Sequence, residues 1–131
     1  MKRIITFGTF DVLHIGHIRI LERARKMGDH LVVGVSSDML NFSKKNRYPV
    51  YPQQDRAELI ASLRCVDQVF IEESLELKEE YIKEFKADLL VMGNDWEGRF
   101  DFVKHLCDVV YLPRTEGVST TQLIAEIKKY E

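Results

Sequence analysis

Short apolar runs alternate along the chain with segments whose apolar residues recur at helical spacing. The runs are rich in Val and Ile and lack polar alternation. They read as strands over Arg3–Phe7, His30–Val35, Gln68–Ile71, Asp88–Met92 and Val109–Leu112. Helical spacing predicts helices over Ile15–Met27, Gln53–Leu63, Leu75–Phe85 and Thr120–Lys129, with a weak turn near His105. Gly28 falls just past the first helix, where a glycine closes the last turn without strain. Pro52 opens the second, where its missing N–H leaves no bond unmade. Uniformly apolar strands suit a parallel sheet covered on both faces, and the β-α-β-α-β order then requires right-handed crossovers. The predicted fold is α/β, a single doubly wound domain spanning residues 1–131, with a five-stranded parallel sheet and helices on both faces. Ligands of such sheets bind beyond the carboxyl ends of the strands, at the point where strand order reverses. Functional residues are therefore expected within Thr9–His17, Ser36–Arg47, Gly93–Phe100 and Pro113–Thr121.

Composition narrows the class. A chain of 131 residues, 45% apolar and 31% charged, buries a core of its own and is not a disordered type. The net charge of −2 argues against a general nucleic-acid-binding surface, so any anion-binding charge is local. The opening MKRIITFGTF is too short in apolar residues for a signal peptide, and no run is long enough for membrane insertion. Cys65 and Cys107 match no metal-ligand spacing and read as buried free thiols. A reducing, cytoplasmic location is expected.

Candidate chemistry concentrates in Gly8-Thr9-Phe10-Asp11-Val12-Leu13-His14-Ile15-Gly16-His17, a strand-to-helix turn with two histidines. A helix N-terminus presents unpaired N–H groups and the positive end of the macrodipole. Thr9, Phe10 and Gly16 are placed to meet an anion there, and Gly16 allows close approach of a ligand. His14 and His17, three apart, project from nearly one face and point to phosphate binding. Two other readings remain open at this point: a pair of metal ligands, or solvated residues at a helix start. Asp11 is a candidate partner for phosphate-bound Mg²⁺, or a helix cap.

A second such turn, Arg114-Thr115-Glu116-Gly117-Val118-Ser119-Thr120-Thr121, follows the last strand. Ser119 or Thr120 is a natural N-cap, while Arg114 adds a planar donor fork suited to phosphate. Together the two helix starts can clamp a triphosphate. The stretch from Ser37 to Gln54 lacks clear periodicity and carries Lys44, Lys45 and Arg47, which reads as a long basic loop able to close over phosphates or as solvated surface. Arg56 and Arg64, eight apart on the next helix, face the same side and can reach the pocket or solvent. In Gly93-Asn94-Asp95-Trp96-Glu97-Gly98 the Trp ring can wall a pocket, and Asp95 can accept from ribose hydroxyls or a base amino group.

These residues resemble a known family. His14-Ile15-Gly16-His17 after Gly8-Thr9-Phe10-Asp11 is similar to the HxGH signature of the nucleotidyltransferase superfamily. Arg114-Thr115-Glu116-Gly117-Val118-Ser119-Thr120 looks like the RTEGIST-type signature of its cytidylyltransferases. With Arg64-Cys65-Val66-Asp67 and Met92–Gly98, the likeness runs to the glycerol-3-phosphate cytidylyltransferases and covers essentially the whole chain. The resemblance implies a Rossmann-like homodimer using CTP, glycerol 3-phosphate and Mg²⁺, with a product that feeds teichoic-acid or similar surface polymers. It implies that His14 and His17 contact the CTP phosphates, and that Lys44 and Arg114 reach substrate phosphates and nucleotide. Thr115, Ser119 and Thr120 would hold the nucleotide, with Arg64 and Asp95 lining the site. Lys45, Arg47 and Arg56 are the weaker candidates for phosphate or acceptor contacts. Glu72-Glu73-Ser74-Leu75 stands where the family carries a tryptophan.

Overall fold

A computed structural model describes residues 1–130. Its strands are β1 Arg3–Gly8, β2 His30–Ser36, β3 Gln68–Glu72, β4 Leu89–Gly93 and β5 Asp108–Leu112. All neighbours pair in parallel in the order β3-β2-β1-β4-β5. The helices are α1 Ile15–Arg25, α2 Asp38–Lys45, α3 Gln53–Ala61, α4 Lys78–Glu84 and α5 Thr120–Lys128. Strand order reverses between β1 and β4, which places the switch point at Gly8 and Gly93. The expected sheet, its order of elements and its two covered faces are all present.

Adjacent residues of one strand feed opposite faces, because side chains alternate across a strand. Ile4, Leu31, Val33, Leu89 and Val91 meet Leu21 and Ala24 of α1 and Ile60 of α3 on one face. Ile5, Val32, Leu90 and Met92 meet Ile82 of α4, Phe100 and Val103 on the other. Both cysteines are free thiols, but only Cys107 is buried; Cys65 is half-buried.

Two predicted elements change. The segment Ser37–Gln54 is not a single loop, because its first half is helix α2. Only Leu40 and Asn41 of α2 are buried, so no apolar stripe marks it. Its signals are at the ends instead. The Ser37 hydroxyl accepts from the Leu40 N–H at 3.0 Å, and Asn46 closes the helix in the left-handed region at φ 56°. The predicted helix Leu75–Phe85 divides into a 3-10 turn, Leu75–Leu77, followed by α4.

Arg56 and Arg64 do not share a helix face, since α3 stops at Ala61 and Arg64 lies on an exposed turn before β3. Arg56 is 0% exposed. Its guanidinium donates to the carbonyls of Tyr51 at 2.9 Å, Thr9 at 2.9 Å and Ser36 at 2.8 Å, and to Asp38 Oδ1 at 2.7 Å. Arg56 is thus a buried tie, not a phosphate-binding residue. A lysine has no planar fork and cannot reproduce these bonds, so Arg56→Lys is expected to cost ~3 kcal/mol or more, by stranding buried carbonyls. Urea unfolding of the two proteins measures this directly.

Candidate active site

Four of the five strands deliver residues to one cleft of about 690 Å³ at their carboxyl ends, together with the helix starts that follow. Beyond β1 the chain is held in an unusual conformation: Phe10 and Val12 have φ values of 54° and 49°. Positive φ is especially costly for β-branched valine, and such residues persist only where their surroundings over-determine them. The bonds that do so are present. The Asp11 carboxylate accepts from the N–H groups of Val12 at 3.1 Å, Val50 at 2.7 Å and Tyr51 at 3.0 Å. The Thr120 hydroxyl donates to the Asp11 carbonyl at 2.8 Å, and Thr9 donates to Asn41 Oδ1 at 2.6 Å. Asp11 lines the cleft, but both of its oxygens are occupied by backbone donors. These bonds pin the 50–51 turn; Asp11 caps no helix, since the N-cap of α1 is His14. The Thr120 bond also locks the start of α5 against the turn that starts α1.

The two histidines cap their own helix. His14 Nδ1 accepts from the Gly16 N–H at 3.0 Å, and His17 Nδ1 accepts from the His14 N–H at 3.2 Å. An accepting Nδ1 carries no proton, so each neutral ring bears its hydrogen on Nε2. The rings stack with centroids 3.7 Å apart, and Phe10 meets His17 edge-on at 5.5 Å. Burial and Arg114 lower the pKa of His14. Burial, then the neighbouring His14, lower that of His17 to about 4. The pair is therefore two neutral N–H donors at a helix N-terminus. Gly16 serves this arrangement directly: a Cβ there would lie 2.8 Å from His14 Cε1 and 3.1 Å from Val118 Cγ1.

Around this centre the cleft is cationic. Lys44, Lys45, Arg47, Arg99 and Arg114 line it together with Thr115, Ser119 and Thr120. Lys44 and Lys45 stand on the last turn of α2, a firmer base than the expected loop. Burial lowers the pKa of Lys44, and Glu72 opposes that shift. Ser119 is the N-cap of α5, its hydroxyl accepting from the Gln122 N–H at 3.1 Å. Lys44 Nζ lies 5.9 Å and Arg99 Cζ 5.6 Å from the Trp96 ring centre. Asp95 lines the same wall and is exposed. Arg64 does not reach the cleft; it sits at the opposite, amino-terminal end of the sheet. Among the described residues no group of three or more His, Cys, Asp or Glu side chains could hold a metal. The reading of His14 and His17 as a metal pair therefore lacks a third ligand.

Charged lining residues outside the expected segments are Glu72 and Lys78. The strand-end rule was applied after β1, β2, β4 and β5 but not after β3. A glutamate ending the apolar run Gln68–Glu72 is the signal that would have found the fifth segment.

A doubly wound parallel sheet with two interlocked helix N-termini and paired imidazole donors at its switch point defines a Rossmann-like nucleotidyltransferase. The chain belongs to the cytidylyltransferase-like family, whose model matches residues 5–126. It is 51% identical over 128 residues to the glycerol-3-phosphate cytidylyltransferase of Bacillus subtilis, covering 97% of this chain and 98% of that one. The Staphylococcus aureus protein of the same name is 48% identical over 97% of this chain and 96% of its own. Among solved structures, a lipopolysaccharide core biosynthesis protein of Thermoplasma volcanium superposes with a TM-score of 0.71 at 28% identity, over 88% of this chain and 97% of that one.

The state of His17 has a measurable consequence. Its folded pKa of about 4 lies below the ordinary 6.5, so the unfolded chain binds a proton first as pH falls. The stability it contributes is complete above pH 6.5 and is lost as pH drops toward 4. Between pH 7 and pH 4.5 the wild type is expected to lose ~2 kcal/mol more than His17→Asn, whose amide oxygen can still accept from the His14 N–H. Denaturant unfolding at both pH values tests this, and equal losses would show the ring to be protonated as freely in the fold as outside it.

Proposed function

We propose that this nucleotidyltransferase transfers CMP from CTP to sn-glycerol 3-phosphate, releasing pyrophosphate and CDP-glycerol. The observation that carries the chemistry is the pair of Nε2–H donors at the first of two interlocked helix N-termini. The full-length likeness to glycerol-3-phosphate cytidylyltransferases supports the choice of nucleotide and acceptor.

An oxygen of the acceptor phosphate attacks the α-phosphorus of CTP in line. The bond from that phosphorus to the α–β bridging oxygen breaks, and pyrophosphate leaves with the electron pair. A phosphate monoester is already largely dianionic at neutral pH, because its second pKa is ~6, so no general base is needed. Catalysis is then positioning and electrostatics. His14 and His17 donate to the α-phosphate oxygens as charge accumulates there. Lys44 and Arg114 meet the leaving pyrophosphate, with Lys45 and Arg47 supporting at the exposed rim. Thr9, Phe10, Gly16, Thr115, Ser119 and Thr120 shape the backbone that receives the nucleotide, and Asp95 accepts from its ribose or base. The side chains form no carboxylate cage for Mg²⁺, so in this reading the ion arrives held by the CTP phosphates. The reading includes a homodimer and a cytoplasmic location; no helix among the described residues is long and apolar enough to cross a membrane.

Removing a donor that acts in the transition state lowers kcat by ~10²-fold or more. His14→Ala and His17→Ala are each expected to do so while remaining folded by circular dichroism. Pyrophosphate release from four nucleoside triphosphates against a set of phosphorylated alcohols tests the substrate pair. Turnover with ATP in place of CTP, or with phosphocholine in place of glycerol 3-phosphate, would overturn it.

A further inference from the structure

The start of α1 presents both histidines, but the cation that faces them belongs to a distant part of the chain. Through its charge Arg114 lowers the pKa of His14 and of His17, so its guanidinium stands near the pair. It follows β5 on the segment Pro113–Val118, which is neither strand nor helix. Pro113 has no N–H to donate, and Gly117 sits at φ 80° with open space where a side chain would stand. Such a segment has little of its own to fix it.

The tie comes from α1. Arg23, in the last turn of that helix, donates from Nη1 to the Pro113 carbonyl at 2.9 Å. Helix side chains lean toward the helix start, so a long one near the far end reaches back to the carboxyl edge of the sheet. Among the described residues this is the only hydrogen bond between Pro113–Val118 and the rest of the protein. The peptide bond is planar, so holding the Pro113 oxygen also holds the nitrogen and Cα of Arg114. At the other end of the segment the Thr120 hydroxyl is bound to the Asp11 carbonyl, in the turn that leads into α1. Both ends are therefore referred to the element that carries the histidines.

Fold stability does not account for Arg23. It is exposed, it pairs with no carboxylate among the described residues, and a single bond from an exposed side chain contributes little. What the bond does fix is a distance, that between a guanidinium and two imidazoles. We propose that Arg23 is a positioning residue: by holding the Pro113 carbonyl it sets Arg114 against His14 and His17, so that one helix aligns all three groups on the phosphates. This rests on the reading above that these three groups meet the phosphates of CTP.

Two measurements test it. In the ligand-free enzyme, NMR titration follows the His14 ring. Arg23→Met removes the donor and keeps the stem; Arg114 then stands farther off, and the His14 pKa is expected to rise toward its ordinary value. In an Arg114→Met background the same substitution is expected to change nothing, since no guanidinium is left to misplace, whereas the charge of Arg23 itself would act equally in both. Calorimetric titration with CTP gives the second reading: Arg23→Met is expected to bind ~10-fold more weakly, the loss of about one charged contact. A His14 pKa that does not rise in Arg23→Met overturns the inference, and so does an equal rise in the Arg114→Met background. CTP binding by Arg23→Met as tight as wild type also overturns it, as does failure of that variant to fold, which would make the bond structural. Wild-type enzyme that binds no CTP overturns the nucleotide reading itself, and the purpose of the contact with it, whatever the histidine titration gives.

Discussion

The guanidinium of Arg56 fixes the carboxyl ends of β1 and β2 relative to the turn that precedes α3. It is wholly buried, yet its partners are mainly carbonyls, those of Thr9, Ser36 and Tyr51. Carbonyls at strand ends have no ladder partner and need a donor wherever water is excluded. One planar group with five N–H donors meets all three and still reaches Asp38. The strained backbone at Phe10 and Val12 depends on this. With Thr9 tied on one side, and Asp11 tied to Val50, Tyr51 and Thr120 on the other, Phe10 between them has little freedom to relax, and Val12 is held by its own N–H bond to Asp11. The strain, of order 1–3 kcal/mol per residue, is therefore a property of the frame and not of the histidines it presents.

That frame explains why the site uses neutral imidazoles. Two imidazolium rings stacked at 3.7 Å would repel each other and Arg114, and protonating Nδ1 would set a donor against a backbone N–H. The bonds that begin α1 thus also set which nitrogen carries the hydrogen. A neutral donor held by the helix start needs no reorganisation as charge develops in front of it, which is the condition under which such donors stabilise a transition state most. The formal positive charge of the cleft comes from Lys44, Arg114 and the rim instead.

Much of this was legible in the residues. Period and composition sufficed for five strands and four helices, because buried parallel strands are uniformly apolar and long helices carry a stripe. The switch-point rule then gathers His14, His17, Lys44, Asp95 and Arg114 at one end of the sheet, where a single cleft holds them. Helix α2 was hidden because its buried positions are only Leu40 and Asn41, and a polar buried residue reads as loop. Arg56 was misread for a related reason. Charged side chains in a functional segment look like ligand contacts, whereas burial and backbone partners decide otherwise, and neither is visible in a string of letters. Arg64 was misplaced because it stands just before β3, at the amino-terminal end of the sheet and away from the cleft.

The cleft divides by strand. In the proposed reaction, residues after β1 and β5 meet phosphates, a group common to any nucleotide and any phosphorylated acceptor. Glu72 and Lys78, at the end of β3 and the start of α4, line the same cleft and touch none of the bonds that hold the histidines. The two sets communicate mainly through Lys44 and the Phe7 ring, packed beneath Lys78. A change at Glu72 or Lys78 can therefore leave the tautomers, caps and strained turn as they are. The reverse does not hold, because displacing Thr9 or Asp11 moves both helix N-termini at once. The turn that presents the two histidines is therefore the fixed part of this architecture.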